Sequence, residues 1–133
     1  MTSLLSTLSA LRFASRATTK TTIRTMAVTT LSDLDAVEKF RITNHKSVLY
    51  FTASWCQPCR NIKPVYEKLS EKYPDVAFGK VDVDENSDAA LDFEVSAVPT
   101  FVLFEKEHAT EKWAGADQVK LEKYIQKLND LET

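Results

Sequence analysis

The sequence predicts an α/β domain, a central mixed sheet of about five strands flanked by four helices, and three observations carry that prediction. From Ala27 onward strand signals and helix signals alternate, without internal repeats or low-complexity stretches. Lys46 to Ala53 holds a continuous apolar run, Val48-Leu49-Tyr50-Phe51, of the kind found in a strand covered on both faces. A chain of 133 residues suffices for one domain with a genuine core and is too short for two ordinary ones.

Taken in order, Ala27 to Leu31 makes a short edge strand. Ser32 then offers an N-cap, Asp33 and Asp35 fall in the first turn where carboxylates suit the helix dipole, and Leu34, Val37 and Phe40 share a face. After the strand over Lys46 to Ala53, the residues Ile62, Val65, Tyr66, Leu69 and Tyr73 are spaced along one side of a helix. Pro64 lies within that helix, removes one backbone hydrogen bond and predicts a bend. Val76 to Val83 reads as the next strand and Ser87 to Phe93 as a short helix. Thr100 to Phe104 and Thr110 to Ala114 are two further strands, and Leu121, Tyr124, Ile125 and Leu128 mark a closing amphipathic helix. Strands that feed directly into helices give parallel pairs, and the two consecutive strands near the end give an antiparallel one.

Composition narrows the function classes. Apolar residues make up 44% and charged residues 27%, the balance of a soluble globular protein. No apolar stretch approaches the ~20 residues that a membrane-spanning helix needs. The net charge of −2 is unevenly spread. Residues 1–26 hold Arg12, Arg16, Lys20 and Arg24 and no acid, which leaves 13 basic against 19 acidic side chains, a net of −6, over 27–133. An acidic body argues against nucleic acid as the partner.

Residues 1–26 read as an address and 27–133 as the domain. The first segment is cationic, free of acids and rich in Ser, Thr, Ala and Leu, the composition of an organellar transit peptide. Drawn as a helix, it sets Leu4, Leu8 and Leu11 on one face and Thr2, Ser6, Ser9 and Arg16 opposite, with Phe13 on the polar side. Polar residues break every apolar stretch too early for a secretory signal. The mitochondrial matrix is the first destination and the plastid the second, while translation from Met26 would give an untargeted, cytosolic domain.

The only two cysteines stand two residues apart in Trp55-Cys56-Gln57-Pro58-Cys59, at the end of the central apolar run. A strand running into a helix puts the first sulfur at the helix start, where unpaired N–H groups favour a thiolate. A zinc site needs four ligands, and the only other soft candidates, His45 and His108, are isolated and far from the pair, so no metal is expected. A static disulfide across two residues restricts the unfolded chain very little. A reactive dithiol at the carboxyl edge of a central strand is the reading that remains, where open α/β sheets place their chemistry.

In context the pentapeptide resembles the active site of the thioredoxin family, whose Trp-Cys-Gly-Pro-Cys it matches at four positions. Pro64, Lys80 in Gly79-Lys80-Val81-Asp82, Val98-Pro99-Thr100, and Gly115 in Trp113-Ala114-Gly115 fall where thioredoxins have such residues. The resemblance covers about residues 28–131 and implies the thioredoxin fold. It implies a partly exposed Cys56 as nucleophile on a client disulfide, and a deeper Cys59 that resolves the mixed disulfide. Pro58 would fix the first helical turn and tune the redox equilibrium, and Trp55 would cover the active-site loop. Pro99 matches the family's cis-proline, Val98 would pair its backbone with the client chain, and Gly115 would let that chain approach closely. The implied partners are disulfide-bearing client proteins and a thioredoxin reductase. The implied redox group is the Cys56–Cys59 disulfide, with no other cofactor, in a monomer.

Two departures stand out. Gln57 replaces the usual glycine and sets a flexible polar side chain beside the nucleophile. Tyr50, six residues before Cys56, replaces a buried aspartate thought to deprotonate the resolving cysteine and to pair with the lysine matched by Lys80. A phenol, with an ordinary pKa of about 10, cannot be that base near neutral pH. A water or Lys80 in neutral form is left to serve, or Tyr50 simply packs the core. The leading function is therefore a protein-disulfide reductase. A thioredoxin-like binding or chaperone module with weak turnover is one alternative, and iron–sulfur binding by two cysteines from each subunit of a dimer is another. A histidine between the cysteines would favour oxidation; Gln57 is uncharged, and the matrix keeps thiols reduced, so reduction is preferred.

Overall fold

The structure is a computed structural model that describes residues 27–132; the address assigned to 1–26 lies outside the described residues. Nine elements follow one another: β1 (Val28–Thr30), α1 (Leu34–Thr43), β2 (Lys46–Thr52), α2 (Gln57–Lys72), β3 (Ala77–Asp82), α3 (Ser87–Asp92), β4 (Thr100–Glu105), β5 (His108–Ala114) and α4 (Gln118–Asn129). The five strands form one sheet in the order β1-β3-β2-β4-β5. β1 and β2 run parallel to β3, whereas β4 runs antiparallel to both β2 and β5.

β2 is the middle of this sheet and is buried from Lys46 to Phe51. Its side chains alternate between two cores, as the pleat requires. Val48 and Tyr50 join Ile62, Tyr66 and Leu69 of α2 and Leu121, Ile125 and Leu128 of α4. Leu49 and Phe51 join Val37 of α1 and Ala89 of α3 on the opposite face. Each such side chain contributes roughly 1.5–3 kcal/mol when fully buried, so two-sided burial holds the strand's register against slippage. No helix among the described residues is long and apolar enough to cross a membrane.

Two details differ from the expectation, and a third is unusual for its residue type. The N-cap of α1 is Asp33 and not Ser32, because the helix starts at Leu34 and the Asp33 carboxylate accepts the Ala36 N–H at 2.7 Å. β5 begins at His108, two residues before the expected Thr110, since a tight turn at Lys106 (φ 57°) lets pairing with β4 start at once. Lys46 is 5% exposed although strand lysines usually face water. Its ammonium donates to the carbonyls of Asn129 (2.7 Å) and Leu131 (2.5 Å), which ties the end of α4 to the start of β2.

Gly79 of β3 is where the sheet meets α1. A Cβ there would lie 2.8 Å from Leu31 Cδ1 and 3.0 Å from Phe40 Cε2, and the Gly79 carbonyl accepts the Tyr66 hydroxyl at 2.7 Å. Gly79→Ala should therefore cost about 1–3 kcal/mol through overpacking. Urea denaturation checks this: the midpoint falls while the slope against urea stays that of the parent.

Candidate active site

β2 ends at Thr52, and four residues later the chain enters α2 with Cys56 as its N-cap. Cys56 has extended backbone (φ −88°, ψ 109°), and its sulfur accepts from the Cys59 N–H at 3.2 Å. Pro58 occupies the first turn, where no intrahelical N–H is called for. Cys56 and Cys59 are joined as a disulfide with Cα atoms 5.3 Å apart. In the reduced state the same N–H and helix terminus would face a sulfur bearing charge, the arrangement that favours thiolate over thiol.

The loop before β4 closes over the pair. The Val98–Pro99 peptide is cis, and the Val98 carbonyl oxygen lies 3.7 Å from Cys56 Sγ. Gly115, with φ +116°, donates its N–H to the Pro99 carbonyl at 2.8 Å. That φ is one that side-chain-bearing residues rarely adopt, and a Cβ on Gly115 would meet nothing within 4 Å, so the surface above it is open. Trp55 is 67% exposed, and its indole N–H donates to Asp84 Oδ2 at 2.9 Å, which holds the ring at the rim. Gln57 is exposed beside it.

One expectation fails: Cys56 is 3% exposed, barely more than Cys59 at 2%, where a partly exposed nucleophile and a deeper resolving thiol were anticipated. In the oxidised state both sulfurs are turned toward each other, with Cys56 packed against the Val98 carbonyl. Reaching a client disulfide requires the bond to open first.

Tyr50 and Lys80 are paired across β2 and β3. The Tyr50 ring is stacked on Phe101 with centroids 5.2 Å apart and tilted against Tyr66 at 4.9 Å. Its hydroxyl donates to the Cys59 carbonyl at 3.0 Å, so the phenol touches the backbone of Cys59. Burial pushes the Tyr50 pKa up, with the nearby Glu67 charge adding to it, and burial pushes Tyr66 well above the ordinary phenol value. Tyr50 is thus a packing and positioning residue, held neutral. A cavity of about 220 Å³ opens beside it, lined among others by Cys59, Arg60, Lys63, Lys80 and Asp82.

Sequence reasoning missed Asp84, the anchor of Trp55, and Arg60, whose guanidinium donates to the Ser54 carbonyl at 2.7 Å and braces the loop before Cys56. The available signal was their position, two residues past Asp82 at the strand end and one past Cys59. Among the described residues no three His, Cys, Asp or Glu side chains converge as a metal site.

Comparison with known proteins agrees with this geometry. The thioredoxin family model matches residues 25–127. Thioredoxin-3, mitochondrial, of Saccharomyces cerevisiae is 42% identical over 102 residues, which cover 77% of this chain and 80% of that protein. Thioredoxin H2 of Arabidopsis thaliana is 45% identical over 86 residues, 65% of either chain. The crystal structure of oxidised mitochondrial thioredoxin 3 from Saccharomyces cerevisiae superposes with a TM-score of 0.73 at 42% identity, covering 76% of this chain and 95% of that one. The fold is the thioredoxin fold.

Tyr50→Phe keeps the stack and removes the donor to the Cys59 carbonyl, and should lower stability by about 1 kcal/mol in urea denaturation. The parent binds the Tyr50 proton more tightly folded than unfolded. That contribution is intact below about pH 10 and is lost as pH rises beyond it. Melting temperatures recorded from neutral pH to above pH 10 should therefore fall more steeply at the alkaline end in the parent than in Tyr50→Phe.

Proposed function

The chain belongs to the thioredoxin family and is a protein-disulfide reductase, a thiol–disulfide oxidoreductase, and from that premise we propose how its residues divide the reaction. Cys56 is the nucleophile: its thiolate attacks one sulfur of a client disulfide, forms the Cys56–client bond and releases the first client thiolate. Cys59 then attacks Cys56 Sγ, releases the second client thiolate and leaves the Cys56–Cys59 disulfide. Two electrons pass to the client, and a thioredoxin reductase returns them. The observation that carries this reading is Cys56 at the N-cap of α2, its sulfur receiving the Cys59 N–H and bonded to Cys59 itself.

The surrounding residues bind and orient. Val98 offers its backbone to an extended client segment as a neighbouring strand would, beside the cis Pro99. The open surface over Gly115 lets that segment lie close. Trp55 and Gln57 form the exposed rim that clients meet. The protein works as a monomer, with the dithiol as its redox group.

Residues 27–133 are the working domain and residues 1–26 the address that takes it to the mitochondrial matrix. The acid-free, cationic composition of 1–26 and the likeness to a mitochondrial thioredoxin support this. A fluorescent protein carrying residues 1–26 should be imported into mitochondria; plastid or cytosolic fluorescence would overturn that destination.

The division of roles is tested by trapping. Full-length Cys59→Ser incubated with organelle extract should accumulate a ladder of client adducts that thiol reductant removes, and Cys56→Ser should accumulate none. A Cys59→Ser protein that forms no adducts while Cys56 titrates as a free thiol would defeat the reductase mechanism drawn here.

A further inference from the structure

Resolution of the mixed disulfide requires Cys59 to lose a proton as its sulfur attacks Cys56, and Tyr50 cannot take it. The phenol is held neutral by burial, and its hydroxyl is engaged as a donor to the Cys59 carbonyl. The cavity of about 220 Å³ that borders Cys59 contains one carboxylate, Asp82. The other charged lining groups are cations: Arg60 and Lys63 from α2 and Lys80 from β3. Of the side-chain types present, only a carboxylate ordinarily stands ready to accept a proton at neutral pH.

Asp82 is placed for that task by the end of β3. It pairs with Thr52, two residues on from the Tyr50–Lys80 pair, so it occupies the same wall of the cavity one pleat nearer the site edge. Its Oδ1 accepts the N–H groups of Asp84 (2.9 Å) and Glu85 (3.3 Å), which fixes the side chain. Those two acids follow it on the loop, and Asp84 is itself engaged with Trp55. The cavity has charged and hydroxyl side chains beside its apolar walls and is large enough for water, which can span the gap between a carboxylate and a thiol.

We propose that Asp82 is the positioning residue for resolution, drawing the Cys59 proton through water in this cavity. As the Cys59–Cys56 bond forms, the Cys56–client bond breaks, the proton passes by water to the Asp82 carboxylate, and the client leaves as thiolate. Asp82 then returns the proton to solvent. The reaction thus has its proton acceptor on β3, because Tyr50 has removed one from β2. This rests on the resolving role of Cys59 proposed above.

Asp82→Asn tests it, because the amide oxygen can still accept from Asp84 and Glu85 while the carboxylate is gone. The full chain, reduced and mixed with a disulfide-bearing peptide, is followed in rapid single-turnover measurements across pH. Mixed-disulfide formation by Cys56 should keep the parent rate. Resolution should slow on the order of tenfold or more at neutral pH, and the gap should close as pH rises and hydroxide takes over the proton. The sign separates this from a purely electrostatic role. Removing a neighbouring negative charge favours the Cys59 thiolate and would speed resolution. An unchanged or faster resolution in Asp82→Asn would overturn the proposal, as would a slowing that is equal at every pH. If Cys59→Ser accumulates no mixed disulfide with the same peptide, the mechanism beneath the proposal fails instead; if it does, only the role of Asp82 is in question.

Discussion

Strand β2 is paired on both edges, to β3 and β4, and buried on both faces from Lys46 to Phe51. A strand so enclosed cannot shift by one residue without turning Tyr50 into the core of Leu49 and Phe51. The chain that leaves it is therefore delivered to one point at the sheet edge, and α2 must begin there. That fixes Cys56 at an N-cap, its sulfur against the Cys59 N–H, before any property of the cysteines themselves is considered. The reactivity of the pair follows from where β2 ends.

The second half of the site comes from residues about forty and sixty positions later, and the sheet brings them in. β4 is antiparallel to β2 and starts where β2 finishes, so the Val98–Pro99 loop necessarily lies at the cysteine edge. β5 is antiparallel to β4 and ends at that edge, which brings Gly115 to Pro99 through the 2.8 Å hydrogen bond. The surface around the cysteines is the meeting of three strand ends and one helix start. Its rim is tethered where Asp84 accepts the indole N–H of the otherwise exposed Trp55.

Much of this was legible because hydrophobic period and cysteine spacing are local signals. The apolar run at Val48 to Phe51 announced a strand buried on both faces, and all nine elements follow from similar patterns. The departures arise where a long-range partner decides. Lys46 is buried because the carbonyls at the end of α4 stand above it, and nothing near Lys46 in sequence encodes them. Cys56 is covered because Val98 and Cys59 close on it in the oxidised state. Asp33 and not Ser32 takes the cap by accepting the Ala36 N–H, a difference of one position that composition does not resolve because both residue types cap well. Asp82 entered the sequence reading only as the last residue of Gly79-Lys80-Val81-Asp82, since only the fold sets it on the wall of a cavity shared with Cys59.

Tyr50 shows how a single core position couples packing to chemistry. An aspartate there would be a buried charge beside Lys80, costly to desolvate and useful as a base. The phenol exchanges that for stacking on Phe101, a tilted contact with Tyr66 and a hydrogen bond to the Cys59 carbonyl, all neutral. The gain is a core without a buried charge at this position; the loss is a proton acceptor beneath Cys59. Phe101 carries the stack on to Trp113, and Trp113 to Tyr124 of α4, so Tyr50 is also one end of an aromatic row that joins β2 to β4, β5 and the last helix. Reversing the exchange would disturb that row. A carboxylate elsewhere on the cavity wall leaves the row intact and still serves the sulfur, which is why the acceptor and the packing can occupy different strands of one sheet.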